Sequence, residues 1–263
     1  MLSLQGLGNP FARKSHAEIL SALAGTQNTQ VLADQYELQL NNFLKEHAHK
    51  KYKSELKQVK AMHRALHDTF LKSYRQYASF NDLFENGDYD CLTGTTLFAL
   101  VFDKLGIDYQ IIETNYHVFI LLNPNTKNQI LIESTDPVNG LITDYTTIQN
   151  RLNTYRKLEA DEVKKDQYAY RYQEEIFREI DIYELVGLTY FNESVKQFNK
   201  GKLIEASVSL VVAGTYYRTN RVSEFAAILI LSLANNNNIE ENTRLENLKK
   251  LSELVGKEFL ARN

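Results

Sequence analysis

An α+β fold is predicted, in which a cysteine-bearing helix packs on a small antiparallel sheet with helices on either side. Three observations predict it. The stretch CLTGTTLFALVFDKLG (Cys91–Gly106) has apolar residues at helical spacing and ends in glycine. Three short runs rich in β-branched and aromatic residues follow, Ile107–Glu113, Tyr116–Leu122 and Gln129–Glu133, joined by connections short enough for antiparallel hairpins. The flanks on both sides then read as helix.

The elements follow in order. Ser15-His-Ala-Glu18 is a capping-box pattern ahead of Ile19, Leu20 and Leu23, and Gly25 is a stop, which predicts a short amphipathic helix. A second helix is expected over about Val31–Glu46. A third, over about Ser54–Tyr74, places Leu56, Val59, Met62, Leu66 and Phe70 on one stripe. Ala78–Asp90 reads as a polar loop with a turn at Asn86-Gly87. From Asp144 the pattern is helical to the end: Tyr145–Tyr155, a Tyr-rich charged segment around Asp161–Glu179, then Ile182–Asn199, Lys202–Tyr217, Ser223–Leu233 and Glu240–Leu260. Gly201–Ala206 (GKLIEA) is the inter-helix turn favoured in tetratricopeptide hairpins, which makes this region TPR-like. The expected organisation is residues 1–143, N-terminal helices plus a core at about 78–143, followed by a helical region at 144–263.

Composition narrows the function classes. Across 263 residues the apolar share is 43%, the charged share 24% and the net charge −3, values of an ordinary globular chain without the basic footprint that nucleic acid requires. No run of about 18 apolar residues suggests a transmembrane segment. The opening MLSLQGLGNPFARK lacks the charged start and apolar core of an export signal, so the compartment stays open between cytoplasm and export with a signal segment missing. One cysteine, Cys91, excludes an internal disulfide and a thiolate metal cage.

Two features invite a metal. His63 and His67 stand at i, i+4 like the ligands of a zinc helix, but Arg64 occupies the place of the general-base Glu, and the pair reads as surface or boundary histidines. Asp82, Glu85, Asp88 and Asp90 match no calcium loop and read as solvated. Neither a metal nor a cofactor is expected.

Cys91 carries the chemistry. A thiol at a helix start faces unpaired backbone N–H groups and the positive end of the dipole, which favour the thiolate. His117 shares a strand face with Phe119 and Leu121 and needs a partner on its second nitrogen, which Glu133 on the next strand supplies if the register allows. Nucleophile, base and orienting acid is one reading of these residues. A small buried cysteine, a satisfied core histidine and a strand-end charge is the other.

The segment from Cys91 through HVFILL (His117–Leu122) to ILIESTDP (Ile130–Pro137) resembles the core of the transglutaminase-like superfamily, which shares the papain-like cysteine-protease arrangement. The resemblance spans about Asn81 to Gly140, and joining such a core to TPR-like helices resembles certain bacterial proteins. It implies Cys91 as nucleophile, His117 as base and Glu133 as acid, with Asp136 the alternative acid. It further implies acyl transfer on an amide of a protein or peptide substrate, by hydrolysis or by amine cross-linking. This chain has Glu where the family more often has Asp, and Phe119 where it has Trp; Asn86 and the Cys91 N–H are the candidates for the oxyanion site. The alternative is an inactive core serving as a scaffold, with a protein partner at the C-terminal helices.

Overall fold

A computed structural model describes residues 16–25, 29–48, 50–157 and 176–255, and shows a mixed fold of helices around a five-stranded antiparallel sheet. Three helices lead in: α1 (His16–Leu23), α2 (Thr29–His47) and α3 (Glu55–Thr69). Ser15, the expected cap of α1, lies outside the described residues. Ser54 caps α3 by accepting the Lys57 N–H. α3 stops short of the expected Tyr74 because the chain is drawn into pairing: the amides of Lys72 and Ser73 both bond the Gly87 carbonyl. That contact starts a short parallel ladder of β1 (Ser73–Tyr74) on β2 (Asp88–Tyr89).

The stretch expected as a polar loop holds a helix, α4 (Phe80–Asn86). Ser79 and Asp82 cap each other's backbone at its start, and Gly87 ends it at a φ of 76°. α5 (Cys91–Leu105) follows, capped by Asp90 and Thr93 in the same reciprocal way and ended by Gly106.

The sheet runs β6-β5-β4-β3-β7, from β3 (Gln110–Thr114), β4 (Val118–Leu122), β5 (Ile130–Ile132), β6 (Leu141–Ile142) and β7 (Phe177–Ile180). Its two faces divide by the period-2 rule. Val118, Ile120, Leu122, Ile130 and Ile132 enter the large core with α5. Phe119, Leu121 and Leu131 face the other way and bury against Ile148 and Leu152 of α6 (Tyr145–Lys157). All of β4 is buried, as a strand covered on both faces must be.

The region expected to be helical from 144 onward supplies the edge strand β7, with Arg178 opposite Glu113. Among the described residues four helices follow: α7 (Ile182–Asn199), α8 (Leu203–Tyr216), α9 (Asn220–Ala234) and α10 (Glu241–Ser252). α7 and α8 form a tight hairpin in which a Cβ on Gly187 would meet Tyr217 Cβ at 2.5 Å, a distance only glycine permits. One continuous buried cluster runs from Ile19 through α5 and the sheet to Val255, so lead-in and C-terminal helices share the apolar core of the sheet. Among the described residues, no helix is long and apolar enough to cross a membrane.

Candidate active site

Cys91 opens α5 as its first helical residue, directly after the N-cap. The Asp90 carboxylate accepts the Thr93 N–H at 2.9 Å and the Thr93 hydroxyl at 3.1 Å, and it also takes backbone hydrogen bonds from Leu92 and Tyr77. Burial pushes the Asp90 carboxyl above its ordinary range, against the pull of those donors. Its oxygens are thereby committed to backbone and Thr93. The amide of Cys91 itself is among the first N–H groups of a helix, which have no partner within it.

Small residues let α5 come close to the end of the sheet. Thr95 Oγ1 donates to the Val118 carbonyl at 3.4 Å, and Ser134 Oγ donates to the Cys91 carbonyl at 3.4 Å. A Cβ on Gly94 would lie 2.7 Å from Ser134 Oγ and 2.8 Å from its Cβ. Glycine is required there by the approach of the segment after β5, not by its backbone angles.

His117 sits just before β4, in a turn closed by its own neighbours. Thr114 N–H donates to the His117 carbonyl at 2.8 Å, and His117 N–H donates to Thr114 Oγ1 at 3.0 Å. Glu133 follows β5. Its backbone N–H bonds the Gly140 carbonyl at 2.8 Å, and Gly140 returns a bond to the Asp136 carbonyl at 2.9 Å. A Cβ on Gly140 would collide with the carbonyl oxygens of Asp136 and Glu133, so the loop closes this tightly only around glycine.

His117 Nε2 and Glu133 Oε2 form a hydrogen-bonded ion pair, with side-chain exposures of 20% and 5%. The β4–β5 register pairs Ile120 with Ile132. Continued by one residue, it puts Phe119 opposite Glu133 and leaves His117 as a diagonal neighbour, about 7–8 Å away between backbones. The extra methylene of Glu over Asp spans that diagonal. Asp136, the alternative acid, is otherwise engaged: its Oδ1 accepts the amides of Val138 at 3.1 Å and Asn139 at 2.8 Å.

The Cys91 side chain is the other neighbour that, with Glu133, favours the imidazolium of His117. With Nε2 taken by Glu133, Nδ1 is the nitrogen left for another partner. Burial alone would lower the His117 pKa, but the hydrogen bonds to Cys91 and Glu133 and their negative charges outweigh it and push it up to about 10. Imidazolium is therefore the resting form at neutral pH. Cys91 as a whole residue is half-buried.

Sequence reasoning missed Tyr155. Its hydroxyl donates to Glu133 Oε1, and its ring stacks on Phe119 with centroids 5.2 Å apart. It also lies 5.5 Å from the His117 ring. Burial, with the Glu133 charge next, raises the Tyr155 pKa. The signal was present: Ile148, Leu152 and Tyr155 recur at helical spacing and mark the face of α6 that meets the sheet. Tyr74 was also missed. It is exposed and edge-on to Tyr89 at 6.3 Å, and the charges of Cys91 and Asp90 add to the effect of burial in raising its pKa.

Asn86, a candidate for the oxyanion site, is the last residue of α4, ahead of the Gly87 cap. A cavity of about 270 Å³ adjoins the start of α5; Tyr77, Asp90, Leu92 and Tyr190 line it, whereas Cys91, His117 and Glu133 do not. His63 and His67 are not surface or boundary residues. They are 5% and 7% exposed, with rings 4.7 Å apart against Phe98. Burial, then the neighbouring His67, lowers His63 to about 4. Among the described residues, no group of three or more His, Cys, Asp or Glu is arranged to hold a metal ion. No family model, curated protein or solved structure matches the chain.

Proposed function

We propose that the protein is a cysteine-dependent acyl transferase or hydrolase acting on amide bonds, with a transglutaminase-like, papain-like core. The observation that carries this reading is the His117–Glu133 hydrogen-bonded pair with Cys91 as the neighbour that acts on His117, three residues brought together from the start of α5, the turn before β4 and the segment after β5. A thiol, a base and an orienting acid in hydrogen-bond sequence are the parts that covalent acyl transfer requires.

Cys91 sulfur, as thiolate beside the His117 imidazolium, attacks the carbonyl carbon and forms the S–C bond. The negative charge moves to the carbonyl oxygen, where the Cys91 N–H is the donor at hand. Collapse breaks the C–N bond, and the proton on His117 Nδ1 goes to the leaving amine. Neutral His117 then takes a proton from water or from an acceptor amine, which attacks the thioester and releases the thiolate. Glu133 holds the ring in orientation and stabilises its cationic form throughout, while Tyr155 holds Glu133.

The resemblance of the segment around Cys91, His117 and Glu133 supports the same reading, as does the packing of α5 on the antiparallel sheet. The test is the rate of Cys91 alkylation by iodoacetamide. At pH 6 the wild type reacts fast, and His117→Ala is slowed at least tenfold; reaction only above about pH 8, as for an ordinary thiol, refutes the proposal. An activity-based thiol probe, competed by candidate peptide amides, then identifies the substrate class.

A further inference from the structure

The turn that presents His117 is held from outside the sheet. Asn115, within this turn, has its carbonyl bonded by Arg221 Nη2 of α9 at 3.1 Å. Its side-chain oxygen accepts the Ile176 N–H at 2.6 Å, at the head of β7. The same guanidinium reaches Glu113 Oε1 through Nη1 at 3.2 Å. Glu113 is fully buried on β3, and it also binds Arg178 Nε at 3.0 Å and the Tyr217 hydroxyl. Arg221 is 6% exposed. A buried carboxylate and a buried guanidinium are expensive unless their polar atoms are used. Here they join the strand before the His117 turn and the turn itself to the C-terminal helices.

We propose that Arg221 is a positioning residue for His117: its guanidinium bridges the buried Glu113 carboxylate and the Asn115 carbonyl, so α9 sets where the imidazole meets Cys91. The proposal rests on the acyl-transfer reading, and it gives the C-terminal helices a part in the active site. Arginine suits the task because its planar fork donates in two directions at once, whereas a lysine ammonium on a flexible stem reaches one partner well.

Two readouts test it in the full chain: the pH profile of Cys91 alkylation and the ring resonances of His117 in histidine-labelled protein. Arg221→Lys retains a cation for Glu113. It is expected to alkylate at least tenfold more slowly than wild type at pH 6 and at a near wild-type rate at pH 9.5, with a shifted His117 resonance. Asn115→Ala loosens the turn from the Ile176 side, leaves the Glu113 cluster intact, and is expected to move both readouts in the same direction by a smaller factor. It decides the matter if Arg221→Lys does not fold. Tyr217→Phe removes a hydroxyl that binds Glu113 and accepts from Arg221 Nη1 at 3.4 Å, while the Arg221 bonds to Glu113 and the Asn115 carbonyl remain, so it should lower the melting temperature and move both readouts far less than Arg221→Lys does. A wild-type profile and resonance in both Arg221→Lys and Asn115→Ala overturn the proposal, as does a shift in Tyr217→Phe equal to theirs. If the wild type itself does not react at pH 6, the acyl-transfer reading fails, and the His117 resonances still decide whether Arg221 positions the ring.

Discussion

Replacing Glu133 with Gln tests the proton economy of the site while keeping its shape. Glutamine retains an oxygen for His117 and for Tyr155 but carries no charge. In the wild type His117 titrates at about 10 against an ordinary value of 6.5, with burial working against it. That difference corresponds to about 5 kcal/mol of preference for the imidazolium. Glu133 supplies one of the two hydrogen bonds responsible and a direct charge interaction. Losing its charge should bring the His117 pKa down from that raised position. The sign is fixed by the direction of the shift. A pKa raised in the fold contributes stability that is fully present below pH 6.5 and is lost as pH rises through about 10. Glu133→Gln should therefore destabilise the fold at pH 6 to 7 and slow Cys91 alkylation at pH 6, where a weaker imidazolium stabilises less thiolate. Histidine ring resonances and urea midpoints over pH 5 to 10 measure both effects. A variant whose His117 titration coincides with wild type would refute the argument that this carboxylate holds the proton on the ring.

Acid should act elsewhere in the molecule. His63 is held near 4 by burial and by His67, so its contribution to stability is complete above pH 6.5 and disappears as pH falls toward 4. A fall of up to about 3 kcal/mol in unfolding free energy is expected between pH 7 and pH 4, and much of it should vanish in His63→Phe, read from denaturant midpoints. Gly94→Ala should cost about 1–3 kcal/mol through the clash with Ser134, with melting temperature and pH 6 alkylation both falling and the double variant Gly94→Ala/Ser134→Gly regaining most of the loss. Tyr155→Phe removes a hydrogen bond to a charged group worth about 1.5–3 kcal/mol. It should slow alkylation at pH 6 by about tenfold; an unchanged rate would assign Tyr155 to packing alone.

The parts of the molecule legible in the sequence are those whose signal is local. The helix from Cys91 to Leu105 announces itself by periodicity and terminal Gly106, and α7 keeps the expected bounds Ile182–Asn199. The hairpins of β3, β4 and β5 follow from β-branched runs between turn residues. The missed elements are those completed by distant partners. β7 reads as a charged continuation of helix because Arg178 and Glu179 look solvated, yet Arg178 faces the buried Glu113 across the β3 ladder. α4 was hidden by polar residues that serve its caps, with Ser79 and Asp82 as a local sign. His63 and His67 look like boundary residues on a charged helix, and only the packing of Phe98 against them shows otherwise.

The candidate site divides along the same line. Identity and order of the thiol, imidazole and carboxylate can be read locally, but the choice between Glu133 and Asp136 cannot, because it depends on register. One residue of slip would exchange which side chains share the face of His117. The observed register makes the acid a diagonal neighbour, and a diagonal suits the longer side chain. A Glu133→Asp variant thus separates length from charge. It keeps the carboxylate but withdraws it by a methylene, so its alkylation profile should resemble that of Glu133→Gln more than that of wild type. If Asp at 133 works as well as Glu, the diagonal argument is wrong and the loop closed by Gly140 has more freedom than its hydrogen bonds imply.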